Sequence, residues 1–502
     1  GNIDASATNA TDTSPGIWGS GGFVPVGTNA AGFAGSLDGA GYVIDNLTIK
    51  RRTTDFVGLI GYAGSGSSIS NLGLVGGEVR GRNFVGGLVG VNAGTITRSY
   101  VTGAVTGDIR VGGLAGDNST GGTIADAHAT ATVSGVLFVG GLVGLNFNDV
   151  MRSYATGSVT GSNSEIGGLV GRNVGIISQS YATGEVRGPS LVGGLVGRHE
   201  QGATITEAYA TGAVTGSNSD IGGLVGYNLG SITQAYATGA VKGAFYVGGL
   251  VGQIGDGAVR QVYATGTVEG DSVVGGLAGY NQALVEDAYA SGAVTGVGSV
   301  GGLVGWNNSG SISRSYWDIG TTLRSVGVGT GTSGTDATGL TTAQARSQGS
   351  YVGWDFGSVW YQAGDMRPIL RSEAATPVGG VITIRNLNQL QLMGANLAGS
   401  YRLAGNIDAS ATNATDTSPG IWGSGGFVPV GTNPFEGGVA FTGSLDGAGN
   451  VITGLTINRP NTAHVGLIGY AGSGSSISNL GLVGGSVTGN AFVGGLVGEN
   501  GG

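Results

Sequence analysis

Side chains able to bind a metal ion or act as a nucleophile are scarce in this chain of 502 residues. It contains three histidines (His128, His199 and His464) and no cysteine. His199 and Glu200 are followed by Gln-Gly-Ala, so the His-Glu-x-x-His pattern of helical zinc sites is absent. No serine stands in the strand-turn-helix elbow that exposes a hydrolase nucleophile. The sequence therefore predicts no catalytic residue, no metal site and no cofactor.

Acidic residues provide the alternative to that prediction. Polysaccharide lyases and hydrolases cluster carboxylates with Arg or Lys on one wall, where they bind calcium and move protons. Here the acidic residues recur near one turn but are spread about one to a repeat: Asp117, Glu165, Asp220 and Asp271. We expect these to be ordinary surface residues. Calcium binding at the rim and a carbohydrate-active enzyme remain alternatives.

A column of tyrosines is the best binding candidate in the sequence. Its members recur about every 27 residues, with His128 as the one substitute: Tyr100, Tyr154, Tyr181, Tyr209, Tyr236, Tyr263, Tyr289 and Tyr316. Strand alternation predicts that these rings face outward together with the Thr two residues further on. Exposed aromatic rings bind sugars, and a regular Thr array orders water as in ice-binding proteins. The alternative is that the laddered side chains stabilise the sheet face.

A second column consists of asparagines, and we predict a structural role for it. Its members are Asn92, Asn118, Asn146, Asn173, Asn228, Asn281 and Asn307, with His199 and Ile254 at the two positions that break it. Asn tolerates the left-handed turn conformation and stacks into amide ladders.

Both columns follow from one repeated motif, V-G-G-L-V-G at residues 85–90. It begins again at Val111, Val139, Ile166, Val192, Ile221, Val247, Val274 and Val300. A fixed period of this length indicates a solenoid. Gly accounts for 109 residues and is spread through every repeat, which disfavours helix. Short runs of Val, Ile, Thr and Tyr between the glycines favour strands, so we predict an all-β parallel β-helix with three strands in each rung of about 27 residues.

Alternation also predicts what fills the interior of this solenoid. If Val101 faces inward, so does Ser99, and a column of small residues then lines the core: Ser99, Ala127, Ser153, Ser180, Ala208, Ala235, Val262, Ala288 and Ser315. Val85 and Leu88 differ in parity, and we expect the Gly pair between them to bend the strand.

The order of segments predicts five regions. Residues 1–56 form less regular first rungs, 57–317 the repeat array, 318–371 an irregular closing segment, 372–404 a connector of strand and helix, and 405–502 the start of a second copy. Within these, 327–339 is a Gly/Thr-rich loop, and short helices are expected at 341–346 and 388–397. The beginning recurs after about 404 residues. We therefore expect a piece of a longer, polymer-like protein.

Bulk composition excludes two classes of partner. The net charge is −9 and basic patches are missing, so nothing favours nucleic acid. No apolar run is long enough to span a membrane, and no signal peptide opens the chain.

The G-L-V-G units with S-Y-A-T-G resemble the GLUG repeat of large secreted bacterial adhesins of the filamentous-haemagglutinin type. Residues 338–344, 353–356 and 366–370 resemble the element that closes such arrays. The resemblance implies a right-handed β-helix, export, and a secreted or cell-surface location. It implies a non-catalytic fibre that acts in adhesion or in a biofilm matrix. Its expected partners are neighbouring copies of the same fibre and host or matrix glycans. A lateral-wall binder of glycan, ice or calcium is the alternative.

Overall fold

The computed structural model describes residues 1–11, 16–331 and 336–502. The chain divides into two compact units, Gly1–Gly339 and Leu340–Gly502. The boundary between them falls inside the segment 318–371 that the sequence sets apart. The protein is an all-β parallel solenoid of about 17 turns with a spacing of about 27 residues, as predicted.

One rung shows how the repeat folds. Starting at Asn83, the chain forms the strands Asn83–Gly86, Val89–Asn92, Thr95–Thr97 with Tyr100–Val101, and Ala104–Thr106. These belong to four different sheets, which we call the first, second, third and fourth faces. The prediction of three strands to a rung is therefore wrong, because Gly86 and Gly87 turn a corner and split one apolar run into two faces. The bend itself was predicted from parity.

The first two faces come from the V-G-G-L-V-G half of the repeat. The first face contains Asn83–Gly86, Ile109–Gly112, Leu137–Gly140, Ser164–Gly167, Ser190–Gly193, Ser219–Gly222, Phe245–Gly248, Val274–Gly275 and Val300–Gly301. The second face contains Ile60–Ala63, Val89–Asn92, Ala115–Asn118, Val143–Asn146, Val170–Asn173, Val196–His199, Val225–Asn228, Val251–Ile254, Ala278–Asn281, Val304–Asn307 and Val328–Gly331.

The other two faces come from the S-Y-A-T-G half. The third face contains Ile3–Asp4, Ser36–Asp38, Val43–Asp45, Ser68–Ser70, Gly73–Val75, Thr95–Thr97, Tyr100–Val101, Thr123–Ala125, His128–Ala129, Asp149–Met151, Tyr154–Ala155, Ile176–Ser178, Tyr181–Ala182, Thr204–Ala210, Ser231–Ala237, Ala258–Ala264, Leu284–Ala290, Ser311–Ser313, Ser315–Asp318 and Ala337–Leu340. The fourth face contains Thr48–Lys50, Glu78–Arg80, Ala104–Thr106, Thr132–Gly135, Val159–Gly161, Val186–Gly188, Val214–Gly216, Val241–Lys242, Val268–Glu269 and Val294–Thr295.

Identical residues lie above one another in this stack. Val85 pairs with Val111, and Val111 pairs with Val139, in parallel register. The interior is apolar, and within one rung Val85, Leu88 and Ile96 are fully buried. The predicted inward column of Ser, Ala and Val is confirmed, since all nine members from Ser99 to Ser315 are at most 1% exposed.

The Gly pair at the corner is required by close approach between rungs. A Cβ on Gly141 would collide with the carbonyl oxygen of Gly168 in the next rung and lie 2.8 Å from the Cβ of Ala155. Any side chain here would push neighbouring rungs apart. This explains why the pair recurs in every repeat.

The second unit begins with helical turns and then returns to β-structure. Its strands are Trp360–Tyr361 with Ile369–Leu370, then Val381–Ile384, Ser400–Leu403, Ser444–Asp446 and Ser476–Ser478 in one sheet, Ile407–Asp408, Val451–Thr453 and Gly481–Val483 in another, and the pairs Thr456–Val465 with Ser486–Val493 and Ile468–Ala471 with Val497–Asn500.

Short helices occur in both units. The α-helices are Ile319–Thr322, Thr342–Ala345 and Leu387–Gln391, and the 3-10 helices are Ser6–Thr8, Gln348–Ser350, Arg371–Glu373, Leu392–Ala395, Ser410–Thr412 and Pro434–Glu436. The two predicted helices are confirmed; the first has a capping box between Thr341 and Gln344. The helix capped by Asp318 was missed.

The loop predicted at 327–339 is partly wrong. Val328–Gly331 adds a strand to the second face by pairing with Val304–Asn307. Ala337–Leu340 belongs to the third face, and residues 332–335 lie outside the described residues.

Candidate functional site

The asparagine column forms a hydrogen-bonded ladder along the solenoid axis. The Nδ2 of Asn92 donates to the Oδ1 of Asn118 at 2.8 Å, Asn118 donates to Asn146 at 2.8 Å, and Asn146 donates to Asn173 at 2.7 Å. Near the other end Asn281 donates to Asn307 at 2.8 Å. All seven asparagines are at most 1% exposed. They end second-face strands and lie outside the left-handed region, so the amide ladder was predicted correctly but the left-handed conformation was not.

His199 replaces an asparagine within this ladder. Its Nδ1 lies 3.1 Å from the Nδ2 of Asn173, and its Nε2 lies 3.3 Å from the carbonyl oxygen of Ser231. Burial lowers the pKa of His199 to about 4, so the ring is neutral at physiological pH. The Oδ1 of Asn228, on the next rung, is buried without a hydrogen bond. The ladder is therefore interrupted between His199 and Asn228, and again at Ile254, whose side chain has no hydrogen-bonding group.

The tyrosine column forms a continuous stack of aromatic rings. Successive ring centroids from Tyr100 to Tyr289, through His128, are 4.6 to 5.2 Å apart, and the planes differ by 2° to 8°. Each ring face is thus covered by the ring of the next rung. Sugar rings bind to aromatic faces, whereas this stack presents ring edges. The geometry favours the stabilising role of the ladder.

The exposure predicted for this column is wrong over its later rungs. Tyr100, Tyr154, Tyr181 and Tyr209 are partly exposed, but Tyr236, Tyr263, Tyr289 and Tyr316 are buried. The neighbouring Thr column follows the same trend, from exposed Thr156, Thr183 and Thr211 to buried Thr265. Strand alternation correctly places both columns on the outer side of the third face of the solenoid. It does not reveal which other residues pack over that side. A uniform exposed Tyr/Thr wall is absent from the described rungs.

The acidic residues do not converge on one site. Asp117 pairs with Arg110 at 2.6 Å, and burial still raises the pKa of its carboxyl to about 6. Burial likewise raises the pKa of Glu165 and Asp220, which lie on different rungs, while Asp271 is exposed. Within the described ranges, no three His, Asp or Glu side chains are grouped so that they could hold a metal ion.

A mixed aromatic and charged wall, which the sequence analysis did not identify, lies along the first and second faces. In seven of the nine copies, the residue before the first Val or Ile of the motif adopts a left-handed conformation, with φ between 49° and 64°: Phe84, Arg110, Phe138, Glu165, Leu191, Asp220 and Tyr246. Such a conformation costs a non-glycine residue about 1 kcal/mol, so the packing of the stack must enforce it. A large or charged side chain directly before the motif Val was the feature of the sequence that could have indicated this wall.

This wall contains a groove of about 420 Å³. It is lined by Arg110, Phe138, Leu145, Phe147, Arg172, Val174, Glu200 and Gln201. The guanidinium of Arg172 lies 5.7 Å from the ring centroid of Phe138, forms an ion pair with Glu200 and lies 3.7 Å from Glu165. Arg198 also pairs with Glu200, at 2.9 Å. The groove combines apolar rings with fixed hydrogen-bonding groups, a combination typical of ligand sites.

Among the residues that the structure describes, no helix is long and apolar enough to cross a membrane.

Comparison with protein families confirms the GLUG repeats in part of the array. Five consecutive segments match the model of the GLUG motif, at residues 162–187, 188–215, 217–242, 243–269 and 270–295. Each segment contains one second-face strand with its Asn-ladder position, and the third-face Tyr on one or two strands of that face. The matched motif is therefore the structural rung itself.

Two individual proteins are similar to parts of this chain. Over 118 residues the sequence is 41% identical to halomucin from Haloquadratum walsbyi, a match that covers 23% of this chain and 1% of halomucin. The chain thus spans about 1% of the length of this curated relative. The solved structure of a candidate immunoglobulin A1 protease from Bacteroides ovatus matches with a TM-score of 0.29 and 17% identity, over 74% of this chain and 84% of that one.

Proposed function

We propose that this chain is a stiff, non-catalytic segment of a large secreted or cell-surface protein, acting as a stalk in adhesion or as an extracellular matrix fibre. The observation that supports this proposal most directly is the pair of axial ladders: buried amides bond four pairs of successive rungs, and stacked rings join the rungs from Tyr100 to Tyr289. The similarity to halomucin supports an extracellular location. We further propose that the whole protein is an adhesin of the filamentous-haemagglutinin type.

Stiffness follows from the direction of these bonds. Backbone hydrogen bonds between rungs lie along the axis, and the Asn ladder adds a buried bond of about 1 kcal/mol per rung. Bending the stack opens one side of every rung and breaks several such bonds together. Force applied along the axis is therefore shared among the four faces.

Pulling the full chain by its two ends in an atomic force microscope tests this proposal. We expect resistance followed by discrete unfolding events, and a lower unfolding force for Asn146→Ala, which breaks the ladder. The matched control Asn163→Ala changes an exposed asparagine and should unfold like the parent. Smooth extension at low force without unfolding events would sink the stalk.

Absence of catalysis is also a proposal. Its support is that Asp117, Glu165 and Asp220 lie on separate rungs, and that Arg110 and Arg172 lie beside the first two. Incubating the full chain with a panel of acidic and neutral polysaccharides should release no reducing or unsaturated ends. Cleavage that Glu165→Gln abolishes would instead establish the carbohydrate-active enzyme.

The groove on the mixed wall supports glycan binding as a second candidate function. Phe147 is 38% exposed beside Arg172 and Glu200, so a sugar could contact the ring while its hydroxyls bond to the charged groups. A glycan array probed with the full chain should show binding that Phe147→Ala weakens. The control Phe245→Ala removes another exposed ring outside the groove and should have no effect. Binding unaffected by Phe147→Ala would place the ligand elsewhere.

We extend the proposal to side-by-side association of fibres. The exposed threonines Thr156, Thr183 and Thr211 lie in register beside the third face and carry no charge that would repel a neighbouring wall. Sedimentation velocity should show larger species as concentration rises, and Thr183→Lys should suppress them. A single species at all concentrations would contradict lateral association.

A further inference from the structure

The chain contains its opening segment twice, and the structure places the two copies in different surroundings. Residues 1–29 recur unchanged as residues 405–433. Three matched pairs differ most in exposure: Ile3 58% and Ile407 2%, Ile17 89% and Ile421 4%, Val26 45% and Val430 1%. Because the sequences are identical, the difference comes from what packs against each copy. The first copy leaves an apolar surface exposed that the second copy buries.

Residues 340–404 lie over the second copy and hold it with buried polar groups. The guanidinium of Arg367 is fully buried and donates to the carbonyl oxygens of Ser418 and Gly420. Gln391 donates to the carbonyl oxygen of Val428 at 3.0 Å and accepts from the Val428 backbone N–H at 2.9 Å. These side chains bond to backbone C=O and N–H groups of the repeated segment. The first copy has the same sequence and therefore carries the same backbone groups.

A charged pocket marks the same place in the first copy. In the second copy Asp365 pairs with Arg459 at 2.7 Å and accepts from the N–H of Gly425 at 3.1 Å. The equivalents in the first copy are Arg51 and Gly21, which line a pocket of about 580 Å³ with Lys50, Arg52, Thr53, Thr54, Glu78 and Arg80. Arg51 donates to the carbonyl oxygen of Phe23 at 3.0 Å, and no carboxylate of the described residues pairs with it. A carboxylate bound in this pocket could therefore contact Arg51 and Gly21 as Asp365 contacts Arg459 and Gly425.

A sheet edge supplies the third part of the same surface. The strand Ser444–Asp446 pairs with Ser476–Ser478 on one side and with Ser400–Leu403 on the other. Its counterpart Ser36–Asp38 pairs with Ser68–Ser70, and the described residues place no strand on its other edge. An open parallel edge accepts a further strand through backbone hydrogen bonds.

We propose that the exposed surface of residues 1–11 and 16–51, with its Arg51 pocket and the open edge of Ser36–Asp38, is the docking surface for a further copy of segment 340–404. Docking adds the equivalent of Ser400–Leu403 to the open edge, places the equivalent of Asp365 on Arg51 and covers Ile3, Ile17 and Val26. Each further super-repeat would then be fixed to the next by packed contacts at this surface. This inference builds on the proposed stalk function.

Hydrogen exchange on two full-length chains tests the docking. One is the present chain, and the other carries a second copy of residues 340–404 fused ahead of Gly1, so that Ala404 precedes Gly1 as it precedes Gly405. Peptides from 1–29 and 405–433 are chemically identical, so their mass spectra superimpose. The present chain should give two equal populations, one exchanging at least about tenfold faster than the other. The extended chain should give the slow population alone.

Two variants control this experiment. The extended chain with Ala at the positions of Asp365 and Arg367 in the added copy should return to two populations, because the anion and the buried guanidinium are lost. In the unextended chain, Asp365→Ala should speed exchange in the second copy, a readout that does not depend on folding of the added segment. The inference is overturned if the extended chain keeps two populations, or if both copies exchange equally in the present chain. Those results would leave the stalk proposal intact, since it is tested separately by pulling.

Discussion

Replacing His199 by Asn should remove an acid sensitivity from the solenoid. Burial lowers the pKa of His199 to about 4 from an ordinary value of 6.5, so between these values the unfolded chain binds a proton that the folded chain does not. The contribution of neutral His199 to the free energy of unfolding is therefore fully present above pH 6.5 and is lost as the pH falls toward 4. Linkage over this interval gives a loss of about 2 kcal/mol by pH 4.5.

The structure also predicts the behaviour of the variant at neutral pH. The amide introduced by His199→Asn can accept from Asn173 and donate to the unpaired Oδ1 of Asn228, a gain of about 1 kcal/mol that the smaller side chain offsets.

Urea unfolding of the parent and of His199→Asn at pH 7 and pH 4.5 measures the effect. We expect similar stability at pH 7 and an advantage of about 2 kcal/mol for the variant at pH 4.5. His128→Tyr is the matched control, since it replaces a histidine of the outer stack and leaves the ladder unchanged. Because burial also lowers the pKa of the half-buried His128, this variant should lose part of the acid sensitivity, but less than His199→Asn, whose histidine is fully buried. Equal losses in the parent and in His199→Asn would refute the reasoning.

Three further predictions concern single rungs. Asn146→Ala removes the acceptor that the Nδ2 of Asn118 uses on this rung and the donor to the Oδ1 of Asn173. It should lower the free energy of unfolding by about 2 kcal/mol in urea titrations, and no loss relative to Asn163→Ala would contradict the ladder. Gly141→Ala should lower the midpoint temperature of thermal unfolding, because the new Cβ would collide with the carbonyl oxygen of Gly168. Gly349→Ala is the control, since Gly349 has open space around it, and it should leave the midpoint unchanged. Equal midpoints for the two variants would show that the rungs can separate. Asp117→Asn should stabilise the protein at pH 7, since the raised folded pKa of about 6 makes the charged Asp117 costly above that pH. The gain should vanish by pH 4, and a gain equal at both pH values would exclude the titration of Asp117 as its cause.

The stack of the solenoid could be predicted from sequence because its side-chain columns repeat in type as well as spacing. Ser99 and its equivalents had to face one side by alternation, and Asn92 and its equivalents had to stack if the rungs stacked. The split of one apolar run into two faces was harder to see. It depends on the corner at Gly86 and Gly87. In the sequence this corner is visible only because the buried residues before and after it, Val85 and Leu88, do not follow one strand alternation.

The candidate site could be predicted less well because it depends on backbone conformation and on long-range packing. Phe138 and Glu165 project from left-handed positions that residue type does not reveal, since neither is Gly or Asn. Burial of Tyr263 depends on what packs over that side of the sheet. The same limit applies to the docking surface, because Ile17 and Ile421 have identical sequence neighbours and opposite exposure.

Cryo-electron microscopy of the full chain, with and without EDTA, tests the central claim most directly. The eleven strands of the second face are separated by ten intervals of about 4.8 Å, which gives a segment about 48 Å long over residues 60–331. We predict that this segment and its 4.8 Å spacing appear in every particle and survive EDTA. Particles that lack the spacing, or that lose it when EDTA is added, would contradict a metal-independent structural stalk.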